Sequence, residues 1–308
     1  METVQSIAKY DKVHSTVITI GTFDGVHIGH RQILKRLITN AKSGNLKSTV
    51  LTFFPHPRMV LQKDSDIKLL NTIDEKIRIL ETLGLDYLII HPFTKEFSRL
   101  SATEFVRDIL VNSLKTKKII IGYDHRFGRN RDANITDLIA FGNTLDFEVE
   151  EIPAQEVDDV SVSSTKIRKA LENGQIEIAN KYLGYSYMLT GKVKKGKGLG
   201  RQIHFPTANL HIEESYKLIP KNGVYVVQSK IDGTVVSGMM NIGYNPTVSG
   251  DERSIEVHFF DFAGDLYDRK LQIDILARIR DENKFGSVEA LKNQLIKDKD
   301  TSIAILNE

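Results

Sequence analysis

The 308-residue chain contains no cysteine, which excludes disulfides, thiolate metal centres and cysteine nucleophiles and suits a reducing compartment. It also lacks any apolar run approaching the ~18 residues that a membrane-spanning helix needs. The amino terminus, METVQSIAKYDKVH, has no apolar core of the kind that marks a secretory signal, so a cytoplasmic protein is expected. An excess of one charge is missing too: 42 Lys and Arg stand against 40 Asp and Glu, a formal net charge of +2. A nucleic-acid binder would show a basic excess or a basic face, so neither nucleic acid nor membrane is an expected partner. Internal repeats and low-complexity tracts are absent. What is present is 41% hydrophobic and 27% charged, an ordinary globular composition long enough for two domains.

Up to about residue 152, short apolar runs alternate with amphipathic stretches. Strands are expected at Thr16–Thr22, Ser48–Phe54, Asp86–Pro92, Lys118–Tyr123 and Phe147–Ile152. Helices are expected between them at Gln32–Ala41, Ile73–Leu83, Ala102–Leu114 and Ile135–Leu145. That alternation implies an α/β domain with an open parallel sheet, whose ligands bind at the carboxyl ends of strands. Two more short helices, Ser163–Leu171 and Ile176–Leu183, follow. After Gly184 the rhythm changes to strands at Met188–Val193, Val224–Lys230, Val235–Ile242, Ser254–Phe262 and Leu271–Ala277. Asp232–Gly233 between two of them is a hairpin signal. This half reads as a small antiparallel β-barrel closed by one helix, Val288–Lys297. The domain boundary is expected near Tyr185, giving domains 1–184 and 185–308.

The sharpest local feature is Gly21-Thr-Phe-Asp-Gly-Val-His-Ile-Gly-His30, which leaves an apolar strand, turns at Asp24–Gly25 and opens a helix. His27 and His30 are three apart, on one helical face. A helix start offers unpaired N–H groups and a positive dipole end, where two imidazoles can donate to phosphate oxygens. Gly29 leaves room for a flat ring. Taken alone, the pair fits an incidental surface position equally well, and without a third ligand it makes a poor zinc site. In Ser163-Ser-Thr-Lys-Ile-Arg168, hydroxyls begin a helix and ordinary capping accounts for them. Capping does not account for Lys166 and Arg168 at the positive end of a dipole, where a bound phosphate would.

Gly191-Lys-Val-Lys-Lys-Gly-Lys-Gly198 approaches a P-loop, but Gly198 stands where Ser or Thr should hold magnesium and no helix is expected to follow. A basic Gly-rich loop can still wrap phosphates with its amides, and a solvated hairpin tip accounts for it equally. Phe205-Pro-Thr-Ala-Asn-Leu210 comes next. In an extended segment Thr207 and Asn209 share a face, and both offer hard oxygens suited to magnesium. Along Ser254–Phe260, Glu256 and His258 lie on one face and Ile255, Val257 and Phe259 on the other. Most strand glutamates are simply exposed; this one sits in a richer context.

Gly21–His30, Thr52-Phe-Phe-Pro-His-Pro57, Gly122-Tyr-Asp-His-Arg-Phe-Gly128 and Ser163–Arg168 together resemble the FMN adenylyltransferase module of bacterial FAD synthetases, within the HxGH nucleotidyltransferase superfamily. Gly191–Arg201, Phe205–Leu210, Lys221–Tyr225, Asn241–Gly243 with Pro246-Thr247, Glu256–His258 and Gly264–Tyr267 resemble riboflavin kinase. The order is that of the bifunctional enzymes, which make FMN from riboflavin and FAD from FMN with ATP and Mg²⁺. The resemblance implies that His27 and His30 act on the ATP phosphates, with Gly21, Phe23, Asp24, Gly29, Ser164, Thr165 and Arg168 completing the nucleotide site. It implies a flavin site at Phe54, Pro55, His56, Pro57, Asp124, Arg126 and Phe127. In the kinase module it implies ATP contacts at Gly191, Lys197, Gly200, Thr207 and Asn209, magnesium at Thr207 and Asn209, and Glu256 as the base. Three positions depart from the family: His125 replaces an aromatic residue such as Phe, and His204 and Asp268 replace glycines. A monofunctional enzyme with one silent module, a flavin-binding regulator and a class I aminoacyl-tRNA synthetase are the competing readings.

Overall fold

The computed structural model describes residues 1–62, 66–122, 125–153, 162–196, 198–247 and 250–307. A first unit, Met1–Ser163, carries β1 (Glu2–Val4), β2 (Thr16–Ile20), β3 (Lys47–Phe53), β4 (Tyr87–His91), β5 (Thr116–Gly122) and β6 (Glu148–Ile152). They pair in parallel in the order β1-β4-β3-β2-β5-β6. β2 is buried at all five positions, as a central parallel strand covered on both faces should be. The crossovers are α1 (Ile28–Ser43), α2 (Pro57–Leu61), α3 (Ile73–Glu81), α4 (Ala102–Glu104) and α5 (Ile135–Leu145). α3, α4 and α5 each begin with a reciprocal capping box, at Thr72/Glu75, Ser101/Glu104 and Asn134/Asp137. Ile18, Leu51, Ile89 and Ile119 of the strands pack with Phe105, Leu110 and Leu138 in one core.

Two expectations change here. β1 was not foreseen; it has three residues, of which only Val4 is buried. The helix expected over Ala102–Leu114 is α-helical for its first turn and continues as a π-helix over Phe105–Ser113.

The second unit, Ser164–Glu308, starts with α6 (Ser164–Glu172) and α7 (Ile176–Leu183). A closed antiparallel barrel follows, in the order β10-β11-β8-β7-β12-β9. Its strands are β7 (Tyr187–Lys194), β8 (Ala208–His211), β9 (Gly223–Ile231), β10 (Thr234–Thr247), β11 (Gly250–Phe259) and β12 (Lys270–Arg280). Asp232 and Gly233 both take positive φ, 50° and 86°, between the paired Ile231 and Thr234, as a type I′ hairpin requires. α8 (Leu199–Gln202) is a single turn after the Gly-rich loop, where no helix was expected; it ends at Ile203 and is too short to make a P-loop helix.

The closing helix α9 runs from Val288 to Leu306, past the expected end at Lys297. Asp298 is the reason: it is 1% exposed and gripped by Arg280 through Nε–Oδ1 at 2.9 Å and Nη2–Oδ2 at 2.7 Å. α6 and α7 belong with the barrel by packing. Asn180 of α7 donates to the Ile275 carbonyl at 2.9 Å, and its Oδ1 accepts from Tyr187 N at 2.7 Å. The packing division therefore falls earlier in the chain than the boundary expected near Tyr185.

Candidate active sites

Strand order reverses between β2 and β5, and in an open α/β sheet ligands bind beside such a reversal at the strands' carboxyl ends. Gly21–His30 leaves β2 there, Phe54–Pro57 leaves the neighbouring β3, and the segment ending at Gly128 leaves β5. The β2–α1 turn is tightly wound. Phe23, Gly25 and Val26 all have positive φ, at 45°, 86° and 36°, while Phe23 and Val26 are buried. Non-glycine residues reach this region at a cost of roughly 1–2 kcal/mol each, so the surroundings must hold them. Asp24, 2% exposed, accepts from Leu70 N at 2.9 Å.

His27 is the N-cap of α1, and its Nδ1 accepts from His30 N at 3.4 Å. An accepting Nδ1 has no proton, so the neutral ring carries its hydrogen on Nε2 and presents a donor. The two imidazoles stack, with centroids 3.6 Å apart and planes 18° from parallel; the Phe23 ring meets His30 edge-on at 5.1 Å. The flat ring over Gly29 is that of His27 itself: a Cβ on Gly29 would lie 3.3 Å from its Nδ1. A Cβ on Gly21 would press on the Phe23 ring at 3.1 Å. Burial pushes His27 down to about 4, opposed by Asp24. Burial, with help from His27 and Lys76, holds His30 well below the ordinary imidazole range. Both rings are neutral donors at pH 7, and the His30 Nδ1 is buried with no hydrogen-bond partner among the described residues.

In the loop after β3, Phe54, His56 and Pro57 are partly buried and Pro55 is exposed; the Phe54–Pro55 peptide is cis. His56 caps α2 by accepting from Arg58 N at 3.2 Å. After β5, Asp124 lies outside the described residues, Arg126 is exposed and Phe127 is buried against Phe105, with centroids 6.1 Å apart. Phe127 is thus a core residue, with the departing His125 ring stacked 6.3 Å from it. Ser164 and Thr165 open α6 and Arg168 is one turn further on, all three within the second unit.

In the barrel, residues from distant segments meet. β8 pairs with β11 so that Asn209 lies opposite Glu256. Thr207, just before β8, donates from Oγ1 to Glu256 Oε2 at 3.2 Å. Ile255, Val257 and Phe259 face the interior, which leaves Glu256 and His258 on the other side. His258 Nδ1 lies 2.8 Å from the Pro206 carbonyl; a carbonyl only accepts, so this nitrogen carries the proton and pins the residue before Thr207. Burial keeps His258 below its ordinary range. The Gly-rich loop needs its glycines for close approach. A Cβ on Gly191 would meet the His211 carbonyl at 2.5 Å, and one on Gly196 or Gly200 would strike the Asn209 carboxamide or the Phe205 carbonyl. Lys197 lies outside the described residues. The two departures from family glycines, His204 and Asp268, both adopt left-handed conformations, at φ 65° and 60°.

Sequence reading missed Lys76. It sits on the inner stripe of α3 with Ile79 and Leu80, 4% exposed, and donates from Nζ to the Thr22 carbonyl at 2.7 Å. A cation on an apolar stripe is a signal that periodicity alone could have raised.

Residues 9–166 match the FAD synthetase family and residues 183–306 the riboflavin kinase family. The bifunctional riboflavin kinase/FMN adenylyltransferase of Listeria monocytogenes serovar 1/2a is 39% identical over 285 residues, covering 92% of this chain and 90% of its own. The protein of that name from Escherichia coli K12 is 36% identical over 287 residues, covering 93% and 91%. Among solved structures, that of a macrolide-efflux protein from Streptococcus pneumoniae aligns with a TM-score of 0.88 at 31% identity, over 98% of both chains. Among the described residues of this chain, no helix is long and apolar enough to cross a membrane.

Proposed function

Since the chain belongs to the bifunctional riboflavin kinase/FMN adenylyltransferase family, we propose that residues 1–184 adenylylate FMN to FAD and residues 185–308 phosphorylate riboflavin to FMN. The aminoacyl-tRNA synthetase reading is thereby set aside. Its substrates are small molecules: riboflavin, FMN and ATP. Both reactions consume ATP, and a cytoplasmic setting, where ATP is supplied, is part of the same proposal.

In the first reaction an FMN phosphate oxygen bonds to the α-phosphorus of ATP as the bond to pyrophosphate breaks. A phosphate monoester is largely dianionic at neutral pH, with a second pKa of about 6, so the nucleophile needs little general base. The protein's task is to align the groups and to receive charge on the leaving pyrophosphate. His27 supports this role as a neutral ring with a fixed tautomer at a helix start. His30 stacks on it, and Gly21, Phe23, Asp24 and Gly29 shape the turn beneath the nucleotide. The flavin would lie along Phe54–Pro57, Asp124 and Arg126, with Phe127 supporting that wall from the core.

In the second reaction the riboflavin 5′-hydroxyl attacks the γ-phosphorus and ADP leaves. Glu256 would take the hydroxyl proton, since a primary alcohol must lose it as the new P–O bond forms. Gly191, Lys197, Gly200, Thr207 and Asn209 would bind ATP. Thr207 and Asn209 fit Mg²⁺ by their hard oxygens. Among the described residues no group of three or more His, Cys, Asp or Glu could hold a metal, so such an ion would draw its other ligands from phosphate and water. Bound there, it would neutralise phosphate charge.

The observation that carries this reading is the meeting of Thr207, Asn209 and Glu256 in the barrel, in a different unit from the stacked histidines. Time-resolved separation of flavins in reactions with riboflavin or FMN, ATP and Mg²⁺ tests it. Glu256→Gln should abolish FMN formation and spare FAD formation from FMN. His30→Ala should do the reverse, with a loss of about 10²–10³ in rate. Equal loss of both activities in either variant would refute the division.

A further inference from the structure

We infer that Lys76 is a positioning residue for adenylyl transfer: its buried ammonium clamps the Thr22 carbonyl and so sets the strained turn that delivers His27 and His30. The inference rests on the proposal that FMN is adenylylated at these histidines.

Three observations carry it. The first is placement. An inward-facing helix position normally takes a hydrophobe, and a buried lysine costs several kcal/mol of desolvation unless something answers it. Lys76 is answered by a backbone carbonyl at 2.7 Å, and among the described residues it forms no ion pair.

The second is the strain it opposes. Thr22 enters a turn in which three of the next four residues have positive φ. Such backbone persists only where its surroundings over-determine it. The Thr22 carbonyl is held from two sides, by Lys76 Nζ of α3 and by Thr52 Oγ1 of β3 at 3.2 Å. The Asp24–Leu70 bond fastens the turn again two residues later. For holding a carbonyl alone, a hydroxyl such as that of Thr52 suffices, without the burial of a charge.

The third is the field. Lys76 adds positive charge at the start of α1, where the helix dipole is already positive. In the empty protein that is unfavourable, and a triphosphate reverses the sign. The charged and titratable groups bearing on His30 are His27 of its own turn, Lys76 of α3 and, through both of them, Asp24. Glu75, the buried acid of α3, is engaged in the Thr72 capping box. After burial itself, His27 and Lys76 are what keep His30 uncharged. Burial likewise lowers Lys76, with Asp24 opposing.

The test compares wild type, Lys76→Met and Lys76→Arg in the full chain. Lys76→Met should lower kcat/KM for FAD formation from FMN by up to about 100-fold, the cost typical of misplacing reacting groups by about 1 Å. It should leave riboflavin phosphorylation unchanged. Imidazole NMR titration of the ligand-free protein should show the His30 resonance moving upward in apparent pKa, since a neighbouring cation has gone. Lys76→Arg keeps charge and donor and should recover most of the rate. Thermal unfolding decides whether a loss is structural: a rate that falls only in proportion to the unfolded fraction, with an unmoved His30 titration, overturns the inference. A Lys76→Met rate within threefold of wild type overturns it too. If wild type makes no FAD from FMN, the underlying assignment of the site fails instead.

Discussion

Lowering the pH from about 7 to about 4 should destabilise the first unit through His27, and His27→Asn should remove that part of the dependence. Burial depresses His27 from 6.5 to about 4, so between those values the unfolded chain binds a proton that the folded chain refuses. Stability then rises with pH: the contribution is fully present above about 6.5 and is lost as pH falls toward 4. Two to three pKa units at 1.36 kcal/mol each give about 3 kcal/mol. His30 and His91 are also depressed by burial and act in the same direction, so the wild-type slope will exceed the His27 share. The substitution isolates that share. Asparagine is among the best N-cap residues, and its amide oxygen can accept from His30 N as the His27 Nδ1 does now. The variant should therefore match wild type at pH 7 to within about 1 kcal/mol. Urea titrations at a series of pH values, followed by the amide resonances of Thr16–Ile20 in β2, give the stability of this unit. Parallel loss of stability in both proteins would refute the assignment of His27 as a buried neutral ring.

The departures from glycine supply a second test. His204→Gly relieves a left-handed residue worth roughly 1–2 kcal/mol and gives back part of it in unfolded-state entropy; a small rise in the thermal midpoint of the barrel is expected, and a fall would contradict the φ of 65°. Asp268→Gly should gain less, because aspartate tolerates this region and the change removes the ion pair with Lys192 at 2.9 Å. Asp298→Ala should destabilise the barrel by about 3 kcal/mol, the cost of stranding one partner of a buried pair, because Arg280 has little exposure elsewhere. Denaturant unfolding checks this, and a change under about 1 kcal/mol would show that α9 docks without the pair.

Much of the architecture was legible because the core strands are short apolar runs bounded by turns, and because Asp232–Gly233 takes the positive φ angles that a hairpin needs. What escaped reading was non-local. β1 has one buried residue and is a strand only because β4 offers it an edge. Thr207 and Glu256, 49 positions apart, were joined in one site by the family resemblance and not by local pattern, and the β8–β11 register is what brings them together. α6 and α7 side with the barrel through Asn180, whose partners, Tyr187 and Ile275, lie on strands further along the chain.

Two of the buried charged residues on helices, Asp298 and Lys76, show where such reading can be extended. Asp298 stands in the run Lys297-Asp-Lys-Asp300, which resembles a solvated helix end; Lys76 stands on the inner stripe of α3 with Ile79 and Leu80. Each is a charge where burial calls for a hydrophobe, and the partner separates their meanings. Asp298 meets the full fork of Arg280, with Gln294 Nε2 on Oδ1 at 2.9 Å. Opposite charges cancel locally, and the result is a fastener between helix and barrel. Lys76 meets an uncharged carbonyl. Among the described residues Asp24 opposes its burial without a direct ion pair, and after burial and His27 the charge bears on His30. That field lies at a helix start whose dipole favours anions, which is why we place Lys76, and not Asp298, with the site.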